Sequence, residues 1–246
     1  MKNSKKFLYF IFLLNILLVQ CQKENPLTTD QIEPHDFLSE EKYNHLVVEI
    51  QAINGFQPTT AAIDNLKAFL ENRLHKSAGI VIKQNNISTP AKQSYSLDEI
   101  KEIEKNNRFY HSKDKTLTAY FLFTDGDYSG NSGDSKVLGI AYGSSSMVIF
   151  EKTIRDFSGG IGEPSEGALE TTVVNHEFAH ILGLVNNGTP STTSHQDAAH
   201  GKHCDIKNCL MYYNAETTDI VANIFGSGIP ELDANCINDL KANGGK

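Results

Sequence analysis

The chain has 246 residues, of which 39% are hydrophobic, 21% charged and 9% aromatic, a composition typical of a globular protein. Four Cys are too few to staple a chain of this length, so a small disulfide-dominated scaffold is excluded. The formal net charge of -8 argues against nucleic acid or another polyanion as the main partner.

The first 20 residues have the pattern of an export signal. Three Lys precede an apolar run over residues 7–19, which is too short for a comfortable membrane span. Cys21 follows and resembles the lipidated Cys of a bacterial lipoprotein, although Gln20 stands where such signals usually have a small residue. Cleavage before Cys21 removes three Lys and no acid, so the net charge falls from -8 to -11.

These features predict an exported protein that is held at the bacterial cell envelope by a lipid on Cys21. We expect an outer-membrane lipoprotein, since residues 22–24 (Gln-Lys-Glu) resemble the charged tag that sends some lipoproteins to the cell surface. No other stretch approaches 18 apolar residues, so the lipid anchor is the only membrane contact expected.

A linker and one domain are predicted after the signal peptide of residues 1–20. Residues 21–41 are polar and contain two Pro and several acids, as linkers often do. From residue 42 to 246, apolar positions recur at helical or strand spacing and no internal repeat divides the chain. We therefore expect one large domain over 42–246, in a monomer.

Helices and strands alternate along this domain. Ser96 and Glu99 have the spacing of a capping box, and Pro230 stands where the first turn of the last helix is expected. Helices are predicted at 59–76, 96–110, 168–184 and 230–242, and strands at 46–50, 80–82, 116–124, 137–142 and 146–150.

Residues 176–180 read His-Glu-Phe-Ala-His, an H-E-x-x-H motif inside a predicted helix. Residues four apart lie one above the other on a helix, so His176 and His180 can both reach one Zn²⁺. Glu177 lies beside them, where it can act as general base on a metal-activated water. Five of the nine His fall within residues 176–203, which concentrates metal ligands in this part of the chain.

The motif continues to Gly183 and resembles the metzincin metalloproteases, whose pattern is H-E-x-x-H-x-x-G-x-x-H. Gly183 permits the left-handed turn that ends the helix. Asn186 stands where that family has its third His, and a neutral amide oxygen is a poor zinc ligand. Either the site is defective or another ligand arrives later in the chain.

Residues 203–212 read HCDIKNCLMY and resemble the stretch around the metzincin Met-turn. Archaemetzincins carry H-C-x4-C-x-M, and matrix metalloproteases carry Leu-Met-Tyr. The resemblance implies that residues 186–202 are an inserted loop, that His203 is the third ligand and that Met211 is the Met-turn residue. The alternatives left open for the third ligand are His195, His200 and Asn186.

Two further features of the family have counterparts here. Tyr213 follows Met211 by two residues, where astacin-like metzincins have a Tyr near the metal; this implies a hydrogen bond to the oxyanion, with a core or rim Tyr as the alternative. The strands at 137–142 and 146–150 resemble the segment before the active helix, in which an edge strand can bind extended substrate.

The cysteines leave several pairings open. If Cys21 is lipidated, a disulfide among Cys204, Cys209 and Cys236 leaves one thiol free, and all three pairs are possible in an exported protein. Archaemetzincins use such cysteines for a second, structural zinc together with a later C-x-x-C. This chain lacks that C-x-x-C, so a second zinc is not expected.

The resemblance implies an α+β fold: a metzincin-like catalytic domain with a twisted mixed β-sheet, an active-site helix with HExxH, and a C-terminal helix after a Met-turn. It implies a zinc-dependent endopeptidase that acts on proteins or peptides, with Glu177 as base and His176, His180 and His203 as ligands.

Two other interpretations compete with this one. A gluzincin-type peptidase would use a downstream Glu such as Glu216 as its third ligand. A non-catalytic envelope binding protein on a metzincin scaffold would account for Asn186 in the place of a His.

Overall fold

A five-stranded sheet lies at the centre of the molecule, in a computed structural model that describes residues 31–88, 91–224 and 228–246. The order is β2-β1-β4-β7-β6, with all neighbours parallel except β7 and β6. The strands are β1 (His45–Ile53), β2 (Ile80–Ile87), β4 (Thr116–Phe123), β6 (Gly139–Tyr142) and β7 (Ser146–Ile149), with a separate ribbon of β3 (Ser94–Tyr95) and β5 (Asp127–Tyr128).

Seven helices accompany the sheet in the described residues. They are α1 (Pro34–Leu38), α2 (Thr60–Glu71), α3 (Leu97–Asn107), α4 (Glu151–Asp156), α5 (Glu166–Ile181), α6 (Val221–Ile224) and α7 (Ala234–Ala242). The expected combination of helices with a mixed sheet is confirmed. The last helix starts at Ala234 instead of Pro230, because the Asp233 side chain accepts from the Cys236 N–H and caps it there.

The central strands β1 and β4 are buried along almost their whole length. The apolar run of β4 predicts this, whereas β1 also buries the polar Glu49 and Gln51. Helices α2 and α5 pack together on one side of the sheet, where the rings of Phe121 and Phe178 lie 6.1 Å apart. A smaller apolar cluster contains Ile100 of α3, together with Tyr120 and Phe150. The sheet therefore has an apolar layer on each side, which holds α5 rigidly in the interior.

The folded unit begins at Ile32, about ten residues before the predicted boundary at 42. Helix α1 lies inside the expected linker, and its Phe37 is fully buried with its ring 5.8 Å from that of Phe178. The buried Lys76 ammonium donates to backbone carbonyls of this segment, those of Asp36 and Tyr43 at 2.9 and 2.8 Å. The linker prediction for this part was wrong because Phe37 and Leu38, two apolar residues in an otherwise polar segment, are buried in the core.

The signal peptide of residues 1–20, the lipidation site Cys21 and the rest of the linker up to residue 30 lie outside the described residues. Across the portion of the chain that is described, no helix has the length and apolar character needed to cross a membrane.

Two buried carboxyl groups meet beneath the N-terminal half of α5. Glu151 and Glu170 are both fully buried, and burial raises the pKa of each, that of Glu151 to about 9. Glu170 accepts from the Thr59 N–H at 2.9 Å, and Glu151 accepts from Arg155 Nε at 2.7 Å. The fold therefore favours a protonated carboxyl at Glu151, whose ordinary pKa is 4.5.

Replacing Glu151 by Gln should flatten the pH dependence of stability. Because the folded-state pKa is raised, the wild type loses stability as the pH rises from about 4.5 towards 9, and the Glu151→Gln variant has no such proton to lose. Urea unfolding of both proteins at pH 5.5 and 8.5 measures this. Equal losses in the two proteins would contradict the protonated state of Glu151.

Candidate metal centre

Helix α5 carries the H-E-x-x-H motif through the interior of the protein. It starts where the Ser165 side chain accepts from the Ala168 N–H, and it is buried continuously from Leu169 onward. It ends at Ile181, and Gly183 follows with a left-handed φ of 77°. A Cβ there would lie 2.6 Å from the Thr189 nitrogen, so the turn has no room for a side chain.

Three imidazoles and one carboxylate converge beside this helix. The Nε2 atoms of His176 and His180 are 3.0 Å apart, and the Glu216 carboxylate lies 3.5 Å from His203 Nε2 and 4.0 Å from His180 Nε2. One ligand atom from each of the four residues lies within 4.8 Å of all the others. Because Zn–N bonds are about 2.0–2.1 Å, ligand atoms of a tetrahedral zinc lie about 3.4 Å apart, which matches this spacing.

Backbone carbonyls orient two of the three rings. His176 Nδ1 donates to the Leu210 carbonyl at 2.7 Å, and His203 Nδ1 donates to the His200 carbonyl at 2.8 Å. The proton on Nδ1 leaves the Nε2 lone pair of each ring free, as metal-binding His require. Burial keeps the rings on α5 neutral, since it lowers the pKa of His176 to about 4 and that of His180 well below its usual value.

A cation fits this cluster better than protons do. His203 Nε2 is buried and has no hydrogen-bond partner of normal geometry among the described residues, and it faces two other imidazoles and a carboxylate. The neutral imidazoles of His176 and His180 are costly to bury beside an anion unless a positive charge joins them. The expected metal cofactor is therefore confirmed: buried His and carboxylate groups able to hold a metal ion are present.

Glu177 is fully buried between α5 and strand β6. Neither of its oxygens accepts a hydrogen bond of normal geometry from the described residues. Burial and the nearby charge of Glu216 raise the pKa of Glu177 well above its usual value, and the Ala141 backbone N–H offsets part of the rise. Gly139 makes the space for it, because a Cβ there would lie 2.7 Å from Glu177 Cγ.

An open cleft of about 350 Å³ leads to these groups. One wall is strand β6, the edge of the five-stranded sheet, and the other is the segment that follows α5. The lining residues are Ile140, Ala141, Glu177, His180, Asn187, His200, Lys202, His203 and Glu216. A ligand can therefore reach the imidazoles while lying along a sheet edge.

The three alternative ligands from the sequence make other contacts. His195 is buried beside the cysteines, with its Nε2 at 2.7 Å from Asp239. His200 lines the cleft but hydrogen-bonds Asp197 at 2.6 Å. Asn186 donates to Gln196 Oε1 at 2.9 Å and is exposed. None of the three joins the four-residue group around His176.

Met211 lies in a turn, and Tyr213 is the first residue of a short 3-10 helix, Tyr213–Glu216. Met211 is fully buried, and its carbonyl accepts from the Cys204 N–H at 2.7 Å. The Tyr213 ring stacks on His200 at 3.6 Å between centroids, and a hydrogen bond with Tyr212 raises the pKa of its phenol. Tyr213 does not line the cleft in this arrangement.

A second group of potential ligands begins next to the first in sequence, because Cys204 directly follows His203. His195, Cys204, Asp233 and Cys236 present ligand atoms within 4.8 Å of one another, and Cys209 Sγ is 3.6 Å from Cys236 Sγ. The three thiols are free and buried, with no disulfide among them. The sequence predicted no second zinc because the chain lacks C-x-x-C, yet the fold brings four potential ligands together here without one.

Sequence reasoning missed two neighbours of the motif. From the sequence, Glu216 was considered only as the third ligand of a gluzincin-type site, yet its carboxylate lies within 4.8 Å of a nitrogen of each of the three imidazoles. Gly139 was placed on a strand without a role, although it packs against Glu177. Both contacts join segments that are distant in sequence, so local patterns do not predict them. The only local signal was Gly139 itself, because a Gly inside an apolar strand often marks a close approach of another group.

Comparisons with known proteins were made for the whole chain. No family model and no curated protein matches it. Among solved structures, an archaemetzincin from Methanopyrus kandleri is 16% identical with a TM-score of 0.48, covering 81% of this chain and 96% of its own. A metalloproteinase-II from Bacteroides fragilis is 14% identical with a TM-score of 0.42, covering 89% of this chain and 58% of its own. The chemistry of the cleft is read from its side chains.

Replacing Gly139 by Ala should destabilise the fold by about 1–3 kcal/mol, because the new methyl group overlaps Glu177 and Val173. The matched control is Gly167→Ala in the first turn of α5, where the nearest atoms lie at 3.4 Å and no loss is expected. Urea unfolding of both variants tests the contact. Equal free energies of unfolding for the wild type and the Gly139→Ala variant would show that Glu177 does not occupy this space.

Proposed function

We propose that this chain is a zinc-dependent endopeptidase of metzincin type, with His176, His180 and His203 as the ligands of the catalytic zinc. The observation that carries the proposal is the convergence of three buried imidazole nitrogens directly beside Glu177, in a cleft bordered by a sheet edge. Imidazole ligands suit zinc among the common metals, and a catalytic zinc typically has three protein ligands.

The ion and the protein supply different parts of the chemistry. When bound, Zn²⁺ polarises the scissile carbonyl and lowers the pKa of a water. Glu177 would act as general base on such a water and would deliver the proton to the leaving amine. Its burial supports this role, because a buried carboxylate is a stronger base than one in water, and burial raises the pKa of Glu177.

Substrate binds along strand β6. This strand ends the five-stranded sheet, and its residues Ile140 and Ala141 line the cleft. An extended peptide can add to such an edge through backbone hydrogen bonds, which places its carbonyls above the imidazoles. The proposed substrates are therefore proteins or peptides in an extended conformation, with nucleic acid disfavoured by the acidic charge.

Three further residues support this arrangement in the proposal. Gly183 ends α5 so that the chain can return to the cleft, and Met211 forms the buried turn beneath the rings. Tyr213 donates to the substrate carbonyl oxygen after its ring leaves the stack with His200. A ten-fold loss of kcat in the Tyr213→Phe variant with unchanged zinc content would support that last role.

We also propose a second, structural zinc on His195, Cys204 and Cys236. Asp233 Oδ2 lies 3.5 Å from Cys204 Sγ and Cys209 Sγ lies 3.6 Å from Cys236 Sγ, so either can complete the site. His195 Nδ1 faces Cys204 Sγ at 3.4 Å, while its Nε2 is held by Asp239. Thiolate and imidazole ligands in a buried closed set are typical of structural zinc.

The proposed location is the bacterial cell envelope, with a lipid on Cys21 as the only membrane contact. The signal-like segment of residues 1–20 supports this location. Labelled palmitate in a bacterial host, with Cys21→Ser as control, tests the lipid. Natural substrates would then be proteins outside the cytoplasm.

One observation favours the competing interpretations. Glu216 could serve as third ligand in a gluzincin-type site, or it could complete a four-ligand site in a non-catalytic binding protein. The orientation of His203 by the His200 carbonyl favours His203 as a ligand, and the open cleft favours catalysis.

Replacing Glu177 by Gln should lower kcat/KM on a casein-type substrate at least about 100-fold, since general base catalysis typically contributes that much. The zinc content should not change, because Glu177 is not a ligand in the proposal. Glu102→Gln, the same change on exposed helix α3, is the matched control. Stoichiometric zinc without any Glu177-dependent cleavage would exclude the enzyme.

The metal count should separate the two centres. The wild type should bind two zinc ions per chain by elemental analysis, and His203→Ala and His195→Ala should each lose one. Only His195→Ala should expose extra reactive thiols, because only its centre contains cysteines. If His195→Ala lost the zinc of the cleft and kept the zinc at the cysteines, the assignment of His203 as third ligand would be wrong.

A further inference from the structure

The Glu216 carboxylate stands where the open position of a catalytic zinc is expected. A zinc with three His ligands keeps its fourth position for water or substrate. Here the Glu216 oxygen lies 3.5 and 4.0 Å from the nitrogens of His203 and His180, which is the spacing between ligands of one ion. The cleft therefore offers four potential protein ligands for one ion, whereas a catalytic zinc typically has three.

The backbone around Glu216 is fixed to the strand that borders the cleft. The Glu216 carbonyl accepts from the Leu138 N–H at 2.8 Å, and the Thr218 N–H donates to the Lys136 carbonyl at 2.8 Å. Residues 137 and 217 form an antiparallel bridge between these contacts. These backbone contacts hold the main chain of Glu216 in place, so a movement of its carboxylate relative to the imidazoles has to come from the side chain.

The side chain of Glu216, in contrast, is free to turn. It is 35% exposed, whereas those of His180 and His203 are each only 9% exposed. Apart from the imidazoles, its carboxylate oxygens have no hydrogen bond or ion pair with another described residue. A change of rotamer would therefore carry the carboxylate into the solvent side of the cleft without breaking another contact.

We propose that Glu216 is a displaceable fourth ligand that closes the zinc site in the resting protein and leaves when substrate enters. This inference rests on the proposed function, because it assumes a zinc held by the three imidazoles. A substrate that pairs with β6 lies directly over Glu216 and competes for the same coordination position. The device makes the enzyme latent through a residue of its own cleft.

Three variants separate ligation from charge. Glu216→Ala removes both the ligand and the charge, and Glu216→Gln keeps the length while removing the charge. Glu216→Asp keeps the charge, but its carboxylate is one methylene shorter and falls short of the ion. Asp219→Asn, an exposed neighbour, is the control for a change of charge outside the cleft.

The experiment measures acetohydroxamate binding to each zinc-loaded protein by calorimetry, with the zinc content determined in parallel. Glu216→Ala and Glu216→Asp should both bind this small zinc-binding probe at least ten-fold more tightly than the wild type does. The Co²⁺-substituted Glu216→Ala protein should also differ in its visible absorption from the wild type, because water replaces a carboxylate. Asp219→Asn should match the wild type in both measurements.

Two results would overturn the proposal. Equal affinities in the wild type and Glu216→Asp would show that charge, and not ligation, governs access. Loss of the cleft zinc in Glu216→Ala would show a permanent ligand instead of a displaceable one. Neither readout requires peptide cleavage, so a protein with tight probe binding in the variants but no peptidase activity would refute only the proposed function.

Discussion

The convergence of three imidazoles on one buried point is the constraint on which the rest of the site depends. Burial lowers the pKa of His176 and His180, so these two rings stay neutral and do not offset the charge of the nearby carboxylates. A divalent cation can, and it then turns a costly cluster into a stabilising one. The carbonyls of Leu210 and His200, the turn at Gly183 and the space left by Gly139 all serve to hold the groups around that cation.

The two centres are joined through a single peptide bond. His203 belongs to the cluster in the cleft, and Cys204, the next residue, belongs to the buried cysteine group. A structural ion on Cys204 would fix the backbone that presents His203, and His195 would tie the loop after α5 to the same ion. The inserted segment would thus gain order from a metal in place of an apolar core of its own.

Local patterns predicted much of the fold and the helical half of the site. The central strand β4 and the helix α5 follow from long apolar or periodic segments, and the H-E-x-x-H spacing places two rings on one face. The start of the domain was misplaced because α1 is short and its contact depends on Phe37 meeting Phe178. Glu216 and His195 could not be assigned because their partners are set by the path of loops, which no local period encodes.

The most direct test of this account is a crystal structure with anomalous diffraction recorded on both sides of the zinc absorption edge. The account predicts two zinc peaks, one between His176, His180 and His203 and one between His195, Cys204 and Cys236. A single peak at the cysteines, with an empty cleft, would contradict the central claim that the three imidazoles hold a catalytic metal.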